Sequence, residues 1–100
     1  MSEATWQAHV LRVARQFGWL VYHTQFSIRS HRGWPDLVLC RPPRILFVEL
    51  KSDRGRVSPE QRDWLDALRA CGLDARVWRP TEHDDEVFET LAEAREGRPA

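Results

Sequence analysis

Trp6, Val10, Val13, Ala14 and Phe17 recur three or four positions apart, which predicts a helix from Glu3 to Phe17 with Gly18 as its stop. Trp19 to Thr24 is short, aromatic and apolar, the composition of a buried strand. Residues 25–33 then turn polar and basic without an apolar period and read as an exposed loop. Pro35 can only open a strand. Leu37 to Cys40 supplies one, Pro42-Pro43 ends it, and Ile45 to Lys51 follows as its hairpin partner. Alternation places Ile45, Phe47, Glu49 and Lys51 on one face of that strand and Leu46, Val48 and Leu50 on the other. Ser58-Pro59-Glu60-Gln61 joins an N-cap Ser, a Pro at the first helical position and a Gln three residues after the cap, so a second helix runs from here to about Cys71 and stops at Gly72. Ala75 to Trp78 is a further strand. A last, acidic helix lies within residues 82–96, from Asp84 to about Arg95, with Val87, Phe88 and Leu91 on its buried stripe. The order α-β-β-β-α-β-α predicts an α/β (mixed α+β) fold, a central mixed sheet flanked by helices.

Length and composition add limits. One hundred residues, 42% apolar and 30% charged with five Trp, suit one domain over residues 1–100 and exclude a disordered chain. No apolar run reaches the roughly 18 residues of a membrane span, and the N-terminus lacks a secretory layout, so a cytoplasmic location is expected. Cys40 and Cys71 have no close Cys or His neighbours, which signals neither zinc nor a disulfide framework; reduced, buried thiols are expected. His9, His23 and His83 match no metal spacing. Charge is uneven: residues 1–80 hold 13 basic and 8 acidic side chains, residues 81–100 hold 2 and 7, giving a body of +5 and a tail of −5. The body tolerates a polyanion such as DNA without demanding one. Fourteen of the fifteen basic residues are Arg, and the one Lys is Lys51.

The chemistry concentrates in Pro35-Asp36 and, after twelve intervening residues, Glu49-Leu50-Lys51. Two carboxylates on adjacent strands converge on a hard cation such as magnesium, and the Leu50 backbone carbonyl completes that side of the shell. Lys51, on the face of Glu49, is placed to hold an attacking water or a phosphate oxygen as negative charge develops. This is the minimum for metal-assisted phosphodiester hydrolysis. The same residues also suit an ordinary strand start and a solvent-facing Glu-x-Lys. Against that reading, Glu49 sits in a strand apolar on both faces, where an unpaired carboxylate is costly. In addition, a chain that otherwise uses Arg has its single ammonium at this position.

Gly33-Trp34-Pro35-Asp36, Glu49-Leu50-Lys51 and Ser58-Pro59-Glu60-Gln61 together resemble the VRR-NUC branch of the PD-(D/E)XK nucleases, over residues 3 to about 80. The resemblance implies a restriction-endonuclease-like core and a magnesium- or manganese-dependent DNA endonuclease, with Asp36 and Glu49 as metal ligands and Lys51 as the catalytic lysine. It also implies that Gln61 faces the site. Independently, Gln61 precedes Trp64, Leu65 and Leu68 on one helical stripe, and a cap partner for Ser58 is its alternative role. Family members tend to carry a Glu near the start of the first helix, and Glu3 falls in register with Trp6 and Val10, which points it inward as a further ligand; complementing the helix dipole is its alternative role. Arg29, His31 and Arg32, with Arg54 and Arg56, are candidates for DNA phosphate contacts, and solvated loop charge is the plainer reading. The family's small members look like homodimers, and a symmetric pair of sites is the geometry a four-way-junction (Holliday junction) resolvase needs. The alternative function is a non-catalytic DNA-binding or protein-interaction module on the same fold.

Overall fold

The computed structural model describes residues 1–24 and 32–96. Its elements, in the predicted order, are α1 (Glu3–Gln16), β1 (Leu20–His23), β2 (Leu37–Arg41), β3 (Arg44–Leu50), α2 (Pro59–Ala70), β4 (Asp74–Trp78) and α3 (Pro80–Glu96). Ser2 caps α1 by accepting from the Thr5 N–H, and Ser58 caps α2 by accepting from the Gln61 N–H, each satisfying one of the donors a helix start leaves open. The strands lie in the order β1-β2-β3-β4. The first two pairings are antiparallel, whereas β3 and β4 are parallel and joined through α2.

Alternation along β3 divides the interior in two. Leu46, Val48 and Leu50 pack with Trp6, Val10, Val13 and Ala14 of α1, with Val87 and Leu91 of α3, and with Trp78. Phe47 packs on the other face with Leu65 and Leu68 of α2 and with Ala75. The sheet is thus a layer between α2 and the α1–α3 pair. Two buried indoles anchor that pair: Trp6 Nε1 donates to the Trp78 carbonyl and Trp19 Nε1 to the Leu91 carbonyl, each at 3.0 Å. No helix among the described residues is long and apolar enough to cross a membrane.

Four expectations need correction. First, α3 begins at Pro80, four residues before Asp84, because its start is capped from a distant loop: Asp53 Oδ1 accepts from the Thr81 N–H at 2.9 Å. Second, Phe88 is 52% exposed and meets Phe17 edge-on, while Val87, Thr90 and Leu91 form the buried stripe one position round the helix. Thr90 is tolerated there because its hydroxyl accepts from Arg76 Nη1 at 3.0 Å. Third, β1 is half-exposed instead of buried: it is an edge strand, and Leu20 and Tyr22 project from the side whose apolar cover, α2, packs over β3 and β4. Fourth, Cys71 is exposed at the end of α2, and Cys40 is only half-buried.

Candidate active site

Register brings the carboxylates together. Leu37 pairs with Val48, so Asp36, one residue before β2, comes opposite Glu49. Val38, Phe47 and Glu49 share the α2 side by alternation, and Asp36, two residues before Val38, belongs to it as well. Asp36 is fixed at several points. Its Oδ2 accepts from the Leu50 N–H at 2.9 Å, its carbonyl accepts from the Thr24 N–H at 2.8 Å, and the Thr24 hydroxyl donates to the Pro35 carbonyl at 2.8 Å.

Glu49 is 2% exposed. Its Oε2 accepts from Gln61 Nε2 at 2.7 Å and lies 3.4 Å from Lys51 Nζ, whereas its Oε1 is buried without a partner. Burial pushes the Glu49 carboxyl up to about 8; the negative charge of Asp36 adds to the rise and Lys51 opposes it. Lys51 follows the last residue of β3, its N–H donating to the Trp78 carbonyl at 3.1 Å, and its side chain is only 14% exposed.

Both expected roles of Gln61 are present in one amide. The oxygen accepts from the Ser58 N–H at 2.8 Å, closing the capping box, while the nitrogen donates to Glu49. Because β3 and β4 are parallel, the chain leaving β3 enters α2 at the end of the sheet where Glu49 and Lys51 lie, the end at which such sheets carry ligands. The helix N-terminus also favours negative charge there.

The VRR-NUC domain family matches residues 7–82, more than half of the sequence. The chain belongs to the VRR-NUC family. This is a family of nuclease-type domains, and a solved structure described as a VRR-NUC domain protein superposes with a TM-score of 0.68 at 19% identity, covering 91% of this chain and 90% of the other. A second, described as a VRR-NUC domain, has a TM-score of 0.65 and 26% identity over 89% of this chain and 97% of the other. No curated protein matches.

Asp36, Glu49, Lys51 and Gln61, the candidate residues of the sequence, gather around one carboxylate pair. Glu3 does not join them. It is exposed in the first turn of α1, where it complements the positive end of the helix, and no group of three or more His, Cys, Asp or Glu is gathered among the described residues. Arg32, Arg54 and Arg56 are exposed, in keeping with either expected role, and Arg29 and His31 lie outside the described residues. The three other histidines include one with a clear structural role: His83 Nδ1 accepts from the Arg79 N–H at 2.8 Å.

Two neighbours went unassigned in the sequence. Gly33, at φ +89°, is pressed on the first turn of α2, where an added Cβ would stand 2.4 Å from the Glu60 carbonyl carbon and oxygen and 2.7 Å from the Gln61 nitrogen. Only glycine permits both that conformation and that approach. Trp34 then meets Phe47 and Trp64 edge-on, with ring centroids 5.8 and 5.0 Å apart, fixing the segment that delivers Asp36. The Gly33-Trp34 pair before Pro35 was the available signal.

Proposed function

We propose that this chain is a divalent-cation-dependent DNA endonuclease. The reading rests chiefly on one observation, the buried Glu49 carboxylate whose Oε1 has no partner beside the second carboxylate, Asp36. A buried carboxylate oxygen left without a partner is costly, burial and Asp36 already disfavour the charged form of Glu49, and a cation between the two carboxylates offsets both. The donor set fits: two carboxylates and the backbone carbonyl of Leu50 are hard oxygen ligands suited to Mg2+ or Mn2+. When bound, such an ion supplies Lewis-acid polarisation of a phosphoryl oxygen and lowers the pKa of water.

The chain's own side chains then have distinct tasks. Gln61 holds Oε2 of Glu49 and so fixes the plane of the carboxylate, leaving Oε1 available. Leu50 N–H does the same for Asp36. The Lys51 ammonium, held beside Glu49, donates to the water or phosphate oxygen on which charge develops during in-line displacement. Arg32, Arg54 and Arg56 contact DNA phosphates around the site. A homodimer would present two sites to opposite strands and suit branched or four-way-junction DNA.

The test is a panel of labelled single-stranded, duplex, flap and four-way-junction DNAs incubated with Mg2+ or Mn2+. Cleavage is expected, and Asp36→Ala and Glu49→Ala each abolish it while the circular dichroism spectrum is retained. Light scattering in the same buffer reports the dimer. DNA binding with no cleavage under either ion would replace this reading by that of a binding module.

A further inference from the structure

The loop that follows Lys51 is fastened by residues outside the three motifs. Arg79, directly after β4, sends its Nη1 to the carbonyls of Ser52 at 2.8 Å and Gly55 at 2.6 Å, with the Asp53 carbonyl at 3.5 Å. The turn closes on itself through the Gly55 N–H, which donates to the Ser52 carbonyl at 3.2 Å. Asp53 ties the same turn to α3, accepting from the Thr81 N–H at 2.9 Å and from the Thr81 hydroxyl at 2.7 Å.

This turn folds back on Lys51. A Cβ added to Gly55 would lie 3.4 Å from Lys51 Cδ and 3.1 Å from Ser52 Oγ, so Gly55 lies close against the lysine stem. A lysine side chain has about 2 kcal/mol of rotamer entropy to lose, and an ammonium that must meet a developing charge has to be confined by its surroundings. Confinement from the side of Glu49 comes from the carboxylate. From the side of the loop it comes from the turn, whose shape is set by the carbonyls that Arg79 collects.

We infer that Arg79 is a positioning residue for Lys51: its guanidinium closes the 52–55 turn over the lysine stem and so fixes the ammonium beside Glu49. The inference rests on the nuclease reading for its functional consequence, but its geometry can be measured separately. Arg76 provides the contrast. That side chain is comparably enclosed but pairs with Asp74 and Glu86 and touches nothing in the turn.

Because Lys51 is the sole lysine, its acylation by an N-hydroxysuccinimide ester is read as one modified peptide, normalised to a small amine in the same tube. In Arg79→Ala, Lys51 acylation is expected to rise several-fold, and single-turnover cleavage at saturating DNA and Mg2+ to fall by a factor on the order of 10 to 100. Arg79→Lys, which keeps the charge and one donor head, should be intermediate in both, and it serves alone if Arg79→Ala does not fold. Arg76→Gln should lose thermal stability while keeping the parent rates of acylation and cleavage. Unchanged acylation in Arg79→Ala overturns the inference, even if cleavage slows, since the defect would then lie in DNA contact. If the parent cleaves no DNA, the nuclease reading fails, and the acylation ratio still decides whether Arg79 holds Lys51.

Discussion

Replacing Glu49 by Gln should stabilise the metal-free protein at alkaline pH and change little in acid. The substitution keeps the shape of the side chain. The amide oxygen can take over acceptance from Gln61 Nε2 and Lys51 Nζ, and the amide nitrogen becomes a donor beside Asp36. The sign follows from linkage. An unfolded chain releases the Glu49 proton near 4.5, whereas burial and Asp36 hold it in the folded protein to about 8. Between those values the unfolded state binds fewer protons, so the parent loses about 1.4 kcal/mol of stability per pH unit. Over that interval the loss reaches roughly 2 to 5 kcal/mol. That is a large fraction of the roughly 5–15 kcal/mol that holds a domain of this size together.

The assay is urea unfolding, followed by the fluorescence of the five tryptophans, at pH 4.5, 6, 7 and 8.5 in chelator. Other groups, such as Asp74, whose carboxyl is lowered by Arg76 and Arg44 against the opposing effect of burial, titrate in both proteins and cancel in the difference. The two proteins should agree at pH 4.5 and diverge steadily above it, the Glu49→Gln variant being the more stable. Adding Mg2+ at pH 8.5 should restore stability to the parent and not to the variant, since binding to the native state alone stabilises it. Parallel curves, or a variant less stable at pH 8.5, would overturn this account, for Lys51 would then be compensating the carboxylate in full and no cation would be needed.

Three further outcomes are expected. Gly33→Ala should cost at least about 2 kcal/mol in urea unfolding and slow cleavage as well, since the added methyl meets the α2 backbone at a positive φ; parent-like stability would contradict the close approach. Lys51→Arg should cleave nearly as slowly as Lys51→Ala in single-turnover assays, because a planar guanidinium does not take the place of a compact ammonium; a parent-like rate would reduce Lys51 to a general phosphate anchor. Calcium should support DNA binding with little cutting, its larger and looser shell misplacing the reacting groups; chelator-resistant cleavage would remove the metal from the mechanism altogether.

The features that the sequence revealed are those with local or periodic causes. Alternation on Ile45 to Lys51 is enforced by the pleat, so it correctly set Phe47 and Glu49 on one face and Leu46, Val48 and Leu50 on the other. The capping box of α2 was visible because Ser58 and Gln61 are three residues apart. The start of α3 was missed although Pro80 stands at its first helical position as Pro59 does in α2, since the cap that accompanies it is Asp53, 28 residues away. Glu3 was misplaced for a related reason: helical register assigns a face, but at the first turn there is not yet a neighbouring element to bury it, and the residue stays exposed. Gly33 was legible as a loop glycine and as the first residue of the Gly33-Trp34-Pro35-Asp36 motif, but without a role of its own. Its requirement comes from the backbone of Glu60, which becomes its neighbour after the sheet and helix have packed.

Gln61 shows how the local and distant causes meet. Its cap role and its site role looked like competitors, because each claims the same side chain. An amide has an acceptor at one end and a donor at the other, and the fold uses both, the oxygen on Ser58 and the nitrogen on Glu49. Formation of the first turn of α2 therefore aims the nitrogen that holds the buried carboxylate, and Gly33 packs against that same turn. The second wall of the site is joined to the fold in the same way, through Asp53, which caps α3 while its loop folds over Lys51. In both walls a helix start carries the alignment. A helix start is rigid only when its backbone donors are satisfied, so the residues that satisfy them also determine how closely Glu49 and Lys51 are held.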